Sequence, residues 1–248
     1  MITANNGKLA ILTPGMGAVA TTLFVGVEAI KKGLAQPIGS LTQMGKIKPN
    51  DESQIHVLIK DLVPLYDLEN IVFGAWDIFP DNAYESALHA KVLEKDLIEQ
   101  LKQPLEKIKP MKAVFDSNYV KRLSGPHVKS GKNKMDLAKQ LRQDIKDFIA
   151  DNKCDRAVMV WCASTEVYSP PSSVHQSVES FEEGLMNNSE QISPSQIYVY
   201  AALKENIPYA NGSPNVSVEL PFVLELSQKN KVPISGSDFK SAQTLIKK

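Results

Sequence analysis

Lys8–Thr13 reads KLAILT and runs straight into Pro14-Gly15-Met16-Gly17-Ala18-Val19-Ala20. A short apolar run closed by a Pro-Gly signal reads as a buried strand. From Gly17 to Lys32, Val19, Leu23, Val27 and Ile30 recur at helical spacing, and Gly33 supplies a stop. A strand, a tight turn and a helix in so short a stretch point to a layered α/β sheet.

Gly15-x-Gly17-x-x-Ala20 has the form of the dinucleotide fingerprint that admits alanine in third place. The first glycine permits the turn. The second removes a Cβ where backbone must approach a pyrophosphate, and the third small residue lets helix lie close to strand. Unpaired N–H groups at the helix start then face the phosphates. The competing reading is a strand–helix turn whose small residues serve packing alone. The acidic residue expected about 20 positions on, at the adenosine ribose, is missing. Gln36 and Gln43 are neutral, and Asp51 lies in a segment of no clear structure. Tyr168 has no lysine four residues later, so a second common oxidoreductase signature is also absent.

Later segments continue the alternation. Asn70–Ala75, Ala113–Phe115, Arg156–Cys162, Ile207–Ala210 and Val232–Ser235 read as strands. Arg156–Cys162 is a near-continuous apolar run, as in a parallel-sheet strand covered on both faces. Asp81–Leu101, Met135–Asn152, Ser173–Met186, Ser193–Asn206 and Leu220–Asn230 read as helices, and Asp238–Lys248 begins another helix-like segment. Pro104 and Pro110 bracket a shorter piece. Residues 34–60 carry Pro37, Gly39, Gly45 and Pro49 and read as loops, with Ile55–Ile59 a strand or a short helix. Lys121–Lys134 reads as an exposed loop whose charge is solvated.

Composition narrows the function classes. With 248 residues and 43% hydrophobic content, the chain buries a core without a disulfide or metal staple. Basic and acidic residues number 28 each, so no general grip on nucleic acid follows. Cys154 and Cys162 fit no zinc spacing and read as buried thiols; no metal is expected. The start, MITANNGKLAIL, lacks the features of a signal peptide, and no apolar run approaches about 18 residues. The expected location is the cytoplasm, with no membrane partner.

Six further segments follow the glycine turn in order. They are Ser40-Leu41-Thr42-Gln43, Trp76-Asp77-Ile78, Val92-Leu93-Glu94-Lys95-Asp96-Leu97, Trp161-Cys162-Ala163-Ser164-Thr165-Glu166, Asn211-Gly212-Ser213-Pro214, and the run from Gly236 through Lys240 to Thr244. Together they resemble the N-terminal and central parts of the myo-inositol-1-phosphate synthase family, from about residue 8 to the end. The resemblance implies a Rossmann-type doubly wound parallel sheet over residues 1–235. It implies the start of a second α/β domain, for catalysis and tetramerisation, at 236–248. It implies NAD as cofactor and conversion of D-glucose 6-phosphate to 1D-myo-inositol 3-phosphate. A hydride leaves C5, the 5-keto sugar closes by an intramolecular aldol step, and the hydride returns.

Residue by residue, the resemblance assigns Gly15, Gly17, Ala18 and Val19 to the pyrophosphate and Asp77 to the adenosine ribose. For Asp77 the residues alone read equally as a turn or helix-entry aspartate. Ala163, Ser164 and Thr165, with Gly212 and Ser213, fall on cofactor-side positions. Asp238 and Ser241 fall beside the nicotinamide, with Lys240 between them as the candidate catalytic residue. The turn departs from the family in having Met16 and Ala18-Val19-Ala20 where glycine and asparagine are common, which leaves mainly backbone donors. The family's substrate lysines are expected beyond residue 248, so the chain reads as a piece of a synthase or as a shortened homologue. A homotetramer is also implied.

Overall fold

A computed structural model describes residues 7–49 and 55–239. In chain order, β1 (Leu9–Pro14) leads into α1 (Ala18–Lys31). There follow α2 (Leu41–Met44) and a two-stranded antiparallel ribbon of β2 (Lys46–Ile47) and β3 (Val57–Leu58). Next come β4 (Ile71–Asp77), α3 (Ala83–Ala90), α4 (Lys95–Gln100), α5 (Lys102–Glu106) and β5 (Met111–Lys112). The remainder is α6 (Lys134–Asn152), β6 (Arg156–Trp161), α7 (Val178–Met186), α8 (Pro194–Lys204), β7 (Tyr209–Asn211), α9 (Pro221–Asn230) and β8 (Ile234–Ser235).

Six strands form one parallel sheet in the order β5-β4-β1-β6-β7-β8. This is the strand order of a dinucleotide-binding fold, with β1 central and the direction of progression reversing between β1 and β6. The expected doubly wound sheet is therefore present.

Side-chain alternation along the strands feeds two separate cores. On β4, Phe73 and Ala75 join Phe24 of α1 and Ile98, Leu101 and Leu105 beneath α1 and α3–α5. Trp76 points the other way, with Leu12, Met159, Leu141 and Tyr198, into the core beneath α6–α9. Phe24 and Phe73 meet at 4.4 Å between ring centroids, and Phe181 stacks on Phe222 at 3.7 Å. Each such buried aromatic is worth about 1.5–3 kcal/mol against exposure.

Caps place the helix starts. The Asn82 side chain accepts N–H bonds from Tyr84 and Glu85, while Glu85 accepts the Asn82 N–H, a reciprocal capping box. Asn133 accepts the Asp136 N–H at the start of α6. Pro194 occupies the first turn of α8, where its missing donor costs nothing.

Several expectations need correction. Asp81–Leu101 is two helices, because Lys91 adopts a left-handed conformation (φ 52°) and ends α3. Ser173–Met186 begins with a short 3₁₀ turn, and Ser177 then caps α7. The strand expected at Ala113–Phe115 lies at Met111–Lys112, with Ala113 making only an isolated bridge to Val128. The strand expected at Ile207–Ala210 is shifted to Tyr209–Asn211. The basic loop 121–134 is less solvated than its composition suggests. Lys129 pairs with Asp144 at 2.7 Å, and the Lys134 ammonium donates to the carbonyls of Ser189 and Ile192. Cys154 and Cys162 are free and half-buried rather than fully enclosed. The helix-like segment at 238–248 lies outside the described residues from Lys240 onward. Among the described residues no helix is long and apolar enough to cross a membrane, and none form a metal-binding cluster.

Candidate functional site

The C-terminal ends of β1, β4, β6 and β7 and the loops after them border one cleft of about 820 Å³. It opens at the edge of the sheet where the strand order reverses, as ligand crevices in such sheets do. Gly15, Gly17, Ala18, Val19, Asp77, Ala163, Ser164 and Thr165 all line it. So do Gly212, Ser213 and Asp238. Lys240 and Ser241 lie outside the described residues.

The two glycines of the turn differ in what requires them. Gly15 has φ +86°, and a Cβ there would stand 2.5 Å from the Ala163 Cα. Its amide donates to the Trp76 carbonyl at 2.8 Å. Gly15 is thus a junction between the ends of β1, β4 and β6, and the fold itself demands it. A Cβ at Gly17 would meet no atom within 4 Å. Nothing inside the described protein needs glycine at that position, and unlike Gly26, Gly33 and Gly39, which are equally open, Gly17 lines the cleft. Ala20 is fully buried in the core beneath α1, as the packing role of the third small residue requires.

Gly17 caps α1 without a side-chain bond, and the first intrahelical bond is Thr21 N–H to the Gly17 carbonyl. The N–H groups of Ala18, Val19 and Ala20 therefore form the unpaired first turn, the positive end of the helix dipole.

Asp77 ends β4, the strand beside β1. One carboxylate oxygen accepts the Met16 N–H at 2.6 Å and the other accepts the Phe79 N–H at 3.0 Å. Asp77 thus stands at the C-terminal end of the strand next to β1, 61 residues after Met16 in sequence. The segment 32–70, with α2 and the β2–β3 ribbon, is inserted between α1 and β4. Asp77 also forms the turn that the residues alone allowed.

Tyr198 supports the floor. Its ring meets Trp76 and Trp161 edge-on, each at 5.6 Å, and its hydroxyl accepts the Val114 N–H at 3.0 Å. Burial holds that phenol well above its ordinary pKa. Ile78, Phe79, Val114, Phe115 and Leu123 make one end of the cleft apolar, beside Ser86 and His89 of α3. None of these was assigned a site role from sequence, although Ile78 and Phe115 fall in segments read there. The signal for them is topological: they follow β4 and β5, the strands on the Asp77 side of β1.

The ionisable groups of the cleft include four acids, Asp77, Asp81, Glu166 and Asp238. Among the described residues lining it there is no lysine or arginine. Cys162 lines it too, and burial pushes its thiol up to about 12, so it is not a thiolate nucleophile near neutrality. The Glu166 carboxyl is raised by burial, against the opposing effect of hydrogen bonds from Ser195 and Ser193.

A family model described as myo-inositol-1-phosphate synthase, built on its NAD-binding region, matches residues 9–245. Inositol-3-phosphate synthase 1 of Bacteroides thetaiotaomicron is 52% identical, over 97% of this chain and 56% of its own. A probable inositol 3-phosphate synthase isozyme of Arabidopsis thaliana is 35% identical, over 97% and 50%. The crystal structure of inositol-3-phosphate synthase from Caenorhabditis elegans superposes with a TM-score of 0.90 at 28% identity. It covers 98% of this chain and 51% of that one. The chain spans about half the length of the curated relatives it matches. On the family match and the level of identity, the chain belongs to the myo-inositol-1-phosphate synthase family.

Proposed function

We propose that this chain is the NAD-binding part of an inositol-3-phosphate synthase, an isomerase that turns D-glucose 6-phosphate into 1D-myo-inositol 3-phosphate without net redox change. The observation that carries the reading is Gly17, a glycine with empty space over it at the open N-terminus of α1. In this reading Gly15, Gly17, Ala18 and Val19 hold the pyrophosphate through backbone N–H groups. Asp77 takes the adenosine ribose with the lone pairs its two N–H bonds leave free. The apolar end beside Phe115 and Leu123 takes the adenine. Ala163, Ser164, Thr165, Gly212, Ser213 and Asp238 border the nicotinamide, with Ser241 beyond them and Lys240 as the candidate catalytic residue. Bound NAD supplies a reversible hydride acceptor, and the protein supplies orientation and exclusion of water.

Residues 1–235 are assigned to the nucleotide-binding domain and Gly236 to the start of the catalytic one. A cytoplasmic location and a homotetramer are part of the same proposal. The absence of lysine and arginine from the described lining favours a second reading: NAD binding without sugar-phosphate chemistry by these residues alone. A coupled assay separates the possibilities. A synthase that contains this chain forms inositol phosphate from glucose 6-phosphate with no NADH accumulating. A binding module takes up NAD and forms no product. Net NADH accumulation would instead identify an ordinary dehydrogenase and refute the proposal.

A further inference from the structure

Glu166 closes the Trp161–Glu166 segment, yet the cofactor reading gives it no role. It is 9% exposed and stands where three elements meet. Its backbone N–H donates to the Asn215 side-chain carbonyl at 2.9 Å, in the loop after β7. Its carboxylate accepts the Ser195 N–H at 2.8 Å and the Ser195 hydroxyl at 2.6 Å, in the first turn of α8. Pro194 has no N–H, so Ser195 carries the first free amide of that helix, where a carboxylate is favoured by the dipole.

Thr165, Glu166 and Pro214 border the large cleft on one side and a second cavity of about 270 Å³ on the other. Thr165 and Pro214 are exposed and Glu166 is buried between them, so its hydrogen bonds tie this wall to the rest of the fold. Asn211 continues the lattice. Its amide donates to the Asn215 carbonyl and Ser217 hydroxyl, and its own carbonyl accepts the Ser213 N–H.

We propose that Glu166 is a positioning residue that locks the loop 163–165 and the loop 212–215 to the α8 N-terminus, fixing the width of the cofactor cleft. This deepens the NAD reading and rests on it for its consequence, though not for its geometry. Glutamine is predicted to substitute. Its carbonyl takes the Ser195 N–H, and its amide donates to the Ser195 hydroxyl, which turns to accept.

The test combines deuterium exchange on the full chain without cofactor with an equilibrium NAD titration. Glu166→Ala keeps the N–H bond to Asn215 but frees the segment from α8, so exchange should speed in 163–165 and, through the displaced Glu166 N–H, in 212–215, with the Gly15–Ala18 turn unchanged and NAD binding weakened about tenfold or more. Glu166→Gln should restore both readouts to within about threefold. Ser195→Ala should shift exchange in the same direction by less, and it decides the matter if Glu166→Ala does not fold. Unchanged exchange in the two loops, affinity within about twofold of the parent, or a Gln variant as damaged as Ala would each overturn the proposal. Should the parent bind no NAD, the cofactor reading falls, and the exchange measurement still decides for or against Glu166.

Discussion

The Asp77 carboxylate holds the Met16 N–H at 2.6 Å, tying the end of β4 to the glycine turn after β1. The residue proposed to recognise the ribose thus also shapes the loop proposed to recognise the pyrophosphate. In the proposed site, one side chain serves both halves of the dinucleotide.

Both Asp77 oxygens accept backbone N–H groups, so an amide cannot satisfy both positions. Asp77→Asn should cost about 1–2 kcal/mol of stability and weaken NAD binding at least about tenfold. Urea unfolding and an NAD titration check the two effects. Asn behaving as Asp in both would remove the coupling.

Gly15 and Gly17 should separate stability from binding. Gly15→Ala meets the Ala163 backbone at a positive φ and should destabilise by about 2–4 kcal/mol. Gly17→Ala has open space and should cost no more than about 1 kcal/mol, the loss of a tolerable cap. Thermal unfolding of the two variants side by side reads the contrast.

His175 is 1% exposed, with Nδ1 accepting the Ser172 N–H and Nε2 donating to the Gln196 carbonyl oxygen. Burial lowers its pKa, and a second ring proton would face the Ser172 N–H. Below about pH 6.5 the unfolded chain binds that proton more readily than the folded chain. Stability should therefore fall as pH drops through this window, by at most about 1.4 kcal/mol per unit for one proton. Urea titrations at a series of pH values should show a shallower slope in His175→Gln. An identical slope would mean that His175 does not contribute.

Cys162, with its thiol pushed up to about 12, should react slowly with iodoacetamide at pH 7.5. Because it lines the cleft, saturating NAD should slow the reaction further, leaving Cys154 unaffected. Peptide-resolved labelling rates with and without NAD read this. Rapid labelling of Cys162 would contradict the burial assigned to it.

The first strand–turn–helix was legible because apolar runs, glycines and helical spacing are local signals. The layout of strands and helices followed from the same signals, and the ordered segments led to the family. What local pattern missed was set by distant contacts. Lys91 interrupts the 81–101 helix through a backbone conformation its composition does not announce. Lys129 and Lys134 leave solvent because Asp144 and the carbonyls of Ser189 and Ile192 wait for them. Asp77 lies beside the glycine turn although 61 residues separate it from Met16, because β1 and β4 are neighbours in the sheet. Tyr198 and Glu166 act through partners far along the chain, and a single sequence carries no sign of such pairings.

The central claim is that the cleft around the Gly15–Ala20 turn binds NAD. Its most direct test is an equilibrium titration of the purified full chain with NAD, run beside Gly17→Ala. The account predicts saturable binding by the parent and at least about tenfold weaker binding by a variant of nearly unchanged unfolding temperature. No saturable binding by the parent, or equal binding by both, would contradict it.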